Sequence, residues 1–134
     1  MFKCNYTEIN DQSPIPLVRL QLKNIDNCSS VIEKDGILDT GADCTLIPFS
    51  TIAKLQPKSL IRGRHNQIIY GVGNSKIITV PYRILMSFDQ ENFIKIKVYA
   101  CPDDDTNGLI ILGRNFLNRY RITFDGKAKL FIIE

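Results

Sequence analysis

The chain has 134 residues, and 44% of them are apolar against 23% charged, a balance that permits one buried core and excludes disordered and fibrous classes. Its formal net charge of +3 is spread along the chain. The densest basic groups, Arg62 to His65 and Arg114 to Arg121, are short and interrupted by Gly63 or by apolar residues, so they read as solvated surface rather than as a nucleic-acid patch. The whole chain, 1–134, is expected to be a single domain, with residues 1–15 a loosely ordered extension.

The first eight residues hold one lysine and no apolar stretch behind it, which is not the pattern of a signal peptide. No apolar run approaches the roughly 18 residues of a transmembrane helix, so a cytoplasmic protein without membrane contact is expected. Cys4, Cys28, Cys44 and Cys101 are irregularly spaced with only His65 as an imidazole, which predicts free thiols, no metal and no cofactor.

In chain order, Val18, Leu20 and Leu22 alternate with Arg19, Gln21 and Lys23, predicting a half-buried strand over about 17 to 25. The cluster Asp26 to Ser30 predicts a turn, and Val31 to Asp39 a second strand that completes a hairpin and ends at Thr40-Gly41. Thr45 to Ile47 is a short apolar strand, and Pro48, read as the first helical position, opens one or two turns of helix that close before Pro57. Lys58 to Asn66 is polar and expected to be exposed.

Gln67 to Tyr70 and Lys76 to Val80 flank Gly71-Val72-Gly73-Asn74-Ser75, a strand, a glycine-rich tip and a returning strand. The returning strand is expected to continue to Phe88, with Pro81 at an edge or bulge. Phe93 to Tyr99 alternates as a further strand, Cys101 to Gly108 is an acidic loop, and Leu109 to Leu112 is apolar enough to imply burial on both sides. A short helix is predicted over Arg114 to Tyr120, then a hairpin whose two-residue turn is Asp125-Gly126. Many short strands and little helix predict an all-β barrel or sandwich.

The candidate for chemistry is Asp39-Thr40-Gly41, a carboxylate delivered by an apolar strand into a small-residue turn. One carboxylate is a feeble base at neutral pH. Two held together share a proton, so that one can activate water while the other protonates the carbonyl under attack, an effect for which the aspartic-protease dyad is the standard example. No second Asp-Thr-Gly or Asp-Ser-Gly is present, and Asp35-Gly36 and Asp125-Gly126 read as turns, so a two-fold axis beside Asp39 is the remaining supply.

Leu38-Asp39-Thr40-Gly41-Ala42-Asp43, the glycine-tipped hairpin at Tyr70 to Gly73, and Ile110-Ile111-Leu112-Gly113-Arg114-Asn115 followed by Phe116-Leu117 occur in that order. Together they resemble the retropepsins, the homodimeric aspartic proteases of retroviruses and retrotransposons, over roughly Pro16 to Ile133. The resemblance implies a small closed barrel with one or two short helices in a C2 homodimer, and an endopeptidase acting on peptide, unfolded or polyprotein substrates.

It also implies roles. Asp39 is the catalytic aspartate, Thr40 braces the two loops across the dimer axis, and Gly41 meets substrate through its backbone. Ala42 and Asp43 border the cleft, with Asp43 pairing to Arg114 within the subunit. Tyr70, Gly71, Val72 and Gly73 belong to a closing flap, and Ile47, Val72 and Ile111 are walls of the side-chain pockets. The chain departs from the family at Cys44, in a longer and more acidic Pro102 to Gly108 loop, in a flap with fewer glycines, and in its leading residues, which implies rearranged terminal strands. Two rival readings keep the same motifs: a protease-fold domain that binds peptides without cutting them, and a dimerisation module of a larger polyprotein.

Overall fold

The computed structural model describes residues 1–60, 67–71, 73 and 75–134. Among these residues, ten strands and two short α-helices follow one another: β1 (Phe2–Asn5), β2 (Leu17–Lys23), β3 (Ile32–Leu38), β4 (Thr45–Pro48), α1 (Phe49–Leu55), β5 (Gln67–Tyr70), β6 (Lys76–Ser87), β7 (Ile94–Cys101), β8 (Ile110–Leu112), α2 (Arg114–Leu117), β9 (Ile122–Asp125) and β10 (Leu130–Ile133). Among the described residues no helix is long and apolar enough to cross a membrane.

The strands close on themselves. Hydrogen bonding runs in the order β2-β3-β8-β4-β7-β6, and β6 returns to β2 through Gln21↔Ser87 to Lys23↔Leu85, making a six-stranded barrel. Closure leaves no free sheet edge inside that ring. Strand β6 is long enough for two duties: Lys76 to Thr79 pairs with β5, and Val80 to Met86 pairs with β7. The β5–β6 hairpin therefore projects from the barrel, and β6 runs unbroken through Pro81, whose carbonyl accepts from the Leu60 N–H at 3.0 Å.

Strand periodicity puts one face of each strand inside. Ile96, Val98 and Ala100 of β7 are buried while Lys95, Lys97 and Tyr99 are not, and Val18, Leu20 and Leu22 of β2 face the same interior with Ile84, Met86, Ile110 and Leu112. Each fully buried Leu or Ile contributes roughly 2 kcal/mol through removal from water.

Several expectations are corrected. Residues 1–15 are not a loose extension throughout, because β1 pairs with β10 and the two join β9 in a separate three-stranded sheet. Phe2 meets Phe88 edge-on at 5.2 Å and Tyr6 meets Phe131 at 6.3 Å, contacts that fix the segment although it is too short to show a period in sequence.

Asp35-Gly36 is no turn but the middle of β3, between β2 and β8. A Cβ at Gly36 would lie 2.6 Å from Leu20 Cδ1, so close strand packing is what asks for glycine there. Asp125 pairs with Leu130, so the loop between β9 and β10 has four residues rather than two, with Lys129 at φ 55° and the Asp125 carboxylate accepting from the Ala128 N–H at 2.9 Å. Burial of Phe131 and Ile133 sets that register, and it overrides the Asp-Gly turn preference. Pro48 is the cap preceding α1 rather than its first residue, and α2 stops at Leu117, although Tyr120 still packs on Phe116 at 5.3 Å.

Candidate active site

Strands β3 and β8 run parallel, with Gly36↔Ile110, Ile37↔Ile111 and Leu38↔Leu112 opposed, and they deliver Asp39 and Gly113 to the same end of the barrel. The Asp39 N–H makes the last rung, donating to the Leu112 carbonyl at 3.0 Å. The chain then turns: the Ala42 N–H donates to the Asp39 carbonyl at 3.2 Å, and the Arg114 N–H to the Ala42 carbonyl at 2.8 Å. The loop from Asp39 to Cys44 is thus held by backbone bonds at both ends.

The Gly41 N–H donates to Asp39 Oδ1 at 2.9 Å, which orients the carboxylate. A Cβ at Gly41 would sit 3.2 Å from that same oxygen, so glycine keeps the approach open. Asp39 itself is exposed, and so is Thr40.

Arg114 is the buttress. Its Nη1 donates to the Thr40 carbonyl at 2.7 Å, and its Nη2 pairs with Asp43 Oδ1. The Asp43 side chain is 86% exposed, so the ion pair adds little stability, and the Arg114 bond to the loop backbone is the positioning contact.

A second support went unread in sequence. Thr45 is fully buried, its hydroxyl donates to Asn115 Oδ1 at 2.7 Å and accepts from the Gly113 N–H at 3.2 Å, while Asn115 Nδ2 donates to the Lys97 carbonyl at 2.9 Å. A threonine opening an apolar strand and an asparagine just inside a helix are the only traces of this network in the sequence. Gly113 lies so close to Cys44 that a Cβ there would fall 2.1 Å from the Cys44 carbonyl oxygen.

Beside Asp39 is an open cleft of about 840 Å³. Its lining includes Asp39, Gly41, Ala42, Asp43, Tyr70, Gly71 and Ile111, so the loop, the hairpin and β8 meet around one space. Ile47 does not line it. Ile47 is fully buried in the core, and Leu46, one residue out of phase on β4 and opposite Ile111, takes the wall position. Val72 lies outside the described residues, as does His65.

At the hairpin tip Gly71 bonds to Ser75 through N–H to carbonyl at 2.8 Å, and Gly73 has φ 71°, a conformation that favours glycine. Tyr70, which lines the cleft, is 67% exposed, with the Lys76 ammonium 5.8 Å from its ring centre.

Cys44 also borders the cleft. Burial, then the neighbouring Asp43 charge, pushes its thiol pKa upward, which keeps it protonated and a poor nucleophile. The four cysteines are free thiols, and among the described residues no group of three or more His, Cys, Asp or Glu side chains is placed to hold a metal. What the cleft offers chemically is an oriented carboxylate lining a largely apolar trough.

Comparison with known proteins agrees with this geometry. A family model described as retroviral aspartyl protease matches residues 10–124. No curated protein sequence matches significantly. Among solved structures, a retropepsin-like aspartic protease from Rickettsia conorii superposes with a TM-score of 0.64 at 15% identity, covering 98% of this chain and 99% of that one. EIAV protease complexed with the inhibitor HBY-793 gives 0.54 at 21% identity, covering 84% and 92%. The retroviral protease-like domain of Ddi1 from Leishmania major gives 0.55 at 14% identity, covering 90% of each. At such identities the likeness is one of fold.

Proposed function

Since the chain belongs to the retroviral aspartyl protease family and has the retropepsin-like fold, we propose that it is an aspartic endopeptidase, active as a homodimer in which two Asp39 carboxylates share the reaction. The observation that carries this reading is the presentation of Asp39: exposed, oriented by the Gly41 N–H, and lining an open cleft of about 840 Å³. The other cleft carboxylates do not supply its partner within the subunit, because Asp43 is bound to Arg114 and Asp105 belongs to a separate loop.

In the dimer, one Asp39 takes a proton from water as that water attacks the scissile carbonyl, and its protonated counterpart donates to the carbonyl oxygen. Collapse of the tetrahedral diol returns a proton to the leaving amine. Proton ownership belongs to the pair and not to either copy. Thr40, exposed beside the axis, braces one loop against the other, and Arg114 holds the Thr40 carbonyl from within the subunit. Tyr70, Gly71 and Gly73 close over the bound peptide and exclude water, with Leu46 and Ile111 as pocket walls.

The test is cleavage of an unfolded protein and of a peptide library across acidic to neutral pH. Wild type should cleave and be blocked by a hydroxyl-bearing transition-state mimic. Asp39→Asn should lose at least about 1,000-fold in kcat while retaining dimer mass, because the shared proton has lost its acceptor. Full cleavage by purified Asp39→Asn would sink the mechanism; peptide binding without cleavage by wild type would instead favour a binding module.

A further inference from the structure

Three aspartates follow one another at Asp103-Asp104-Asp105, and the fold separates them. Asp103 is spent within the protein: its Oδ1 accepts from the Ser50 N–H at 3.1 Å in the first turn of α1, and hydrogen bonding from the Ser50 side chain, then from its backbone, lowers the Asp103 pKa. Asp104 is exposed and does not border the cleft. Asp105 does, in a lining that also includes Leu46, Tyr99 and Ile111. The short 3-10 turn Asp103–Thr106, with Thr106 buried and the Asp105 N–H donating to the Pro102 carbonyl at 3.0 Å, fixes which of the three faces inward.

The charge around the cleft is unbalanced. The described lining includes Asp39, Asp43 and Asp105 but no lysine or arginine. Asp43 has Arg114, and Asp39 is reserved for water, whereas Asp105 makes no ion pair among the described residues. Two cations lie against rings: Lys97 Nζ is 5.1 Å from the Tyr99 ring centre and Lys76 Nζ 5.8 Å from that of Tyr70. The field of Asp105 reaches inward as well, adding to burial in raising the Cys101 thiol to about 11.

We infer that Asp105 is a specificity-determining residue that selects peptides carrying a lysine or arginine near the scissile bond. The inference rests on the peptide-cleft reading above and names its substrate class. A long basic side chain lays its methylene stem along Leu46 and Ile111 and brings its cation to the carboxylate at the rim, so apolar wall and charge are both used. A glutamate at the same place meets like charge as the closing peptide displaces water. By two-fold symmetry the preference falls on both sides of the cleavage point.

The experiment compares otherwise identical peptides that carry lysine, norleucine or glutamate at each position flanking the scissile bond. With wild-type dimer, one position on each side should favour lysine over norleucine by about tenfold in kcat/KM, chiefly through KM, and the advantage should shrink as salt is raised. In Asp105→Asn that ratio should fall towards one. In Asp105→Lys the order should invert in favour of glutamate, a reversal that mere loosening of the loop would not produce. Cleavage without any lysine preference, or a preference that survives in Asp105→Asn, overturns the inference while leaving the proteolytic reading intact. If wild type cleaves none of the peptides, the proteolytic reading falls, and the same lysine-to-norleucine ratio measured as Kd by fluorescence anisotropy still decides the role of Asp105.

Discussion

Gly113→Ala concentrates the physics of the site in a single methyl group. The added Cβ would stand 2.1 Å from the Cys44 carbonyl oxygen, 2.4 Å from the Cys44 carbonyl carbon and 2.9 Å from the Cys44 nitrogen. All three are backbone atoms, in the segment that joins the Asp39 loop to β4, so no side-chain rotation relieves the contact. Relief requires the loop to move by about an ångström from β8, and that stretches the Gly113 N–H bond to Thr45 and the Arg114 N–H bond to Ala42.

Overpacking a rigid site costs up to about 3 kcal/mol, and weakening these two hydrogen bonds adds about 1 kcal/mol more. Against a total stability of roughly 5–15 kcal/mol this is severe, and it corresponds to a fall in Tm of about 10 °C or more. The matched control is Gly126→Ala, where a Cβ meets nothing within 4 Å and φ is not positive. Thermal and urea unfolding followed by circular dichroism should place Gly126→Ala within about 2 °C of wild type and Gly113→Ala far below it. Equal melting of the two variants would refute the account of Gly113 as a contact the loop cannot evade.

Thr45→Val keeps shape and removes the hydroxyl that serves both Asn115 and Gly113, leaving the buried Gly113 N–H and the part-buried Asn115 Oδ1 without that partner; a loss of about 2 kcal/mol in urea unfolding is expected, and a loss under 0.5 kcal/mol would show the network to be dispensable. Asp89 carries a pH signature. Its carboxylate accepts from the Asn92 N–H at 2.8 Å, the Asn92 side-chain amide at 2.8 Å, the Glu91 N–H at 3.0 Å and the Ser87 hydroxyl at 2.8 Å, and these bonds hold its pKa well below the usual carboxylate range. A folded pKa that is depressed gives stability present above the unfolded value near 3.9 and lost as pH falls through the folded one. Asp89→Asn should therefore be less stable than wild type at pH 7, by roughly 1 kcal/mol after solvent screening, and the gap should begin to narrow below about pH 4 and go on narrowing as the pH falls further; a gap independent of pH would refute it.

Local chemistry carried a good deal of this fold. Alternation in Val18 to Leu22 and in Phe93 to Tyr99 marked β2 and β7, because a barrel strand has one wet and one dry side and the pattern follows directly. The Asp39-Thr40-Gly41 turn was legible for a similar reason: an apolar strand, a carboxylate and a residue without Cβ are each local properties. Local rules failed where a neighbour distant in sequence decided. Asp35-Gly36 has turn chemistry but is held extended by strands on both sides, and Asp125-Gly126 yields its two-residue turn to the burial of Phe131 and Ile133.

The chain by itself determined the residue types the cleft needs and their order: one oriented aspartate, a glycine beside it, a glycine-tipped hairpin, and an arginine after an apolar run. Only the tertiary structure decided which of them face one another. Leu46 rather than Ile47 takes the wall because β4 meets β8 in one phase and not the other, and a shift of one residue exchanges core for cleft. Likewise three consecutive aspartates are equivalent in sequence, and only the turn beneath them gives Asp103 to the Ser50 N–H of α1 and Asp105 to the cleft. Sequence specifies chemistry along a line, whereas burial and register, which depend on contacts between distant segments, determine the direction each side chain takes.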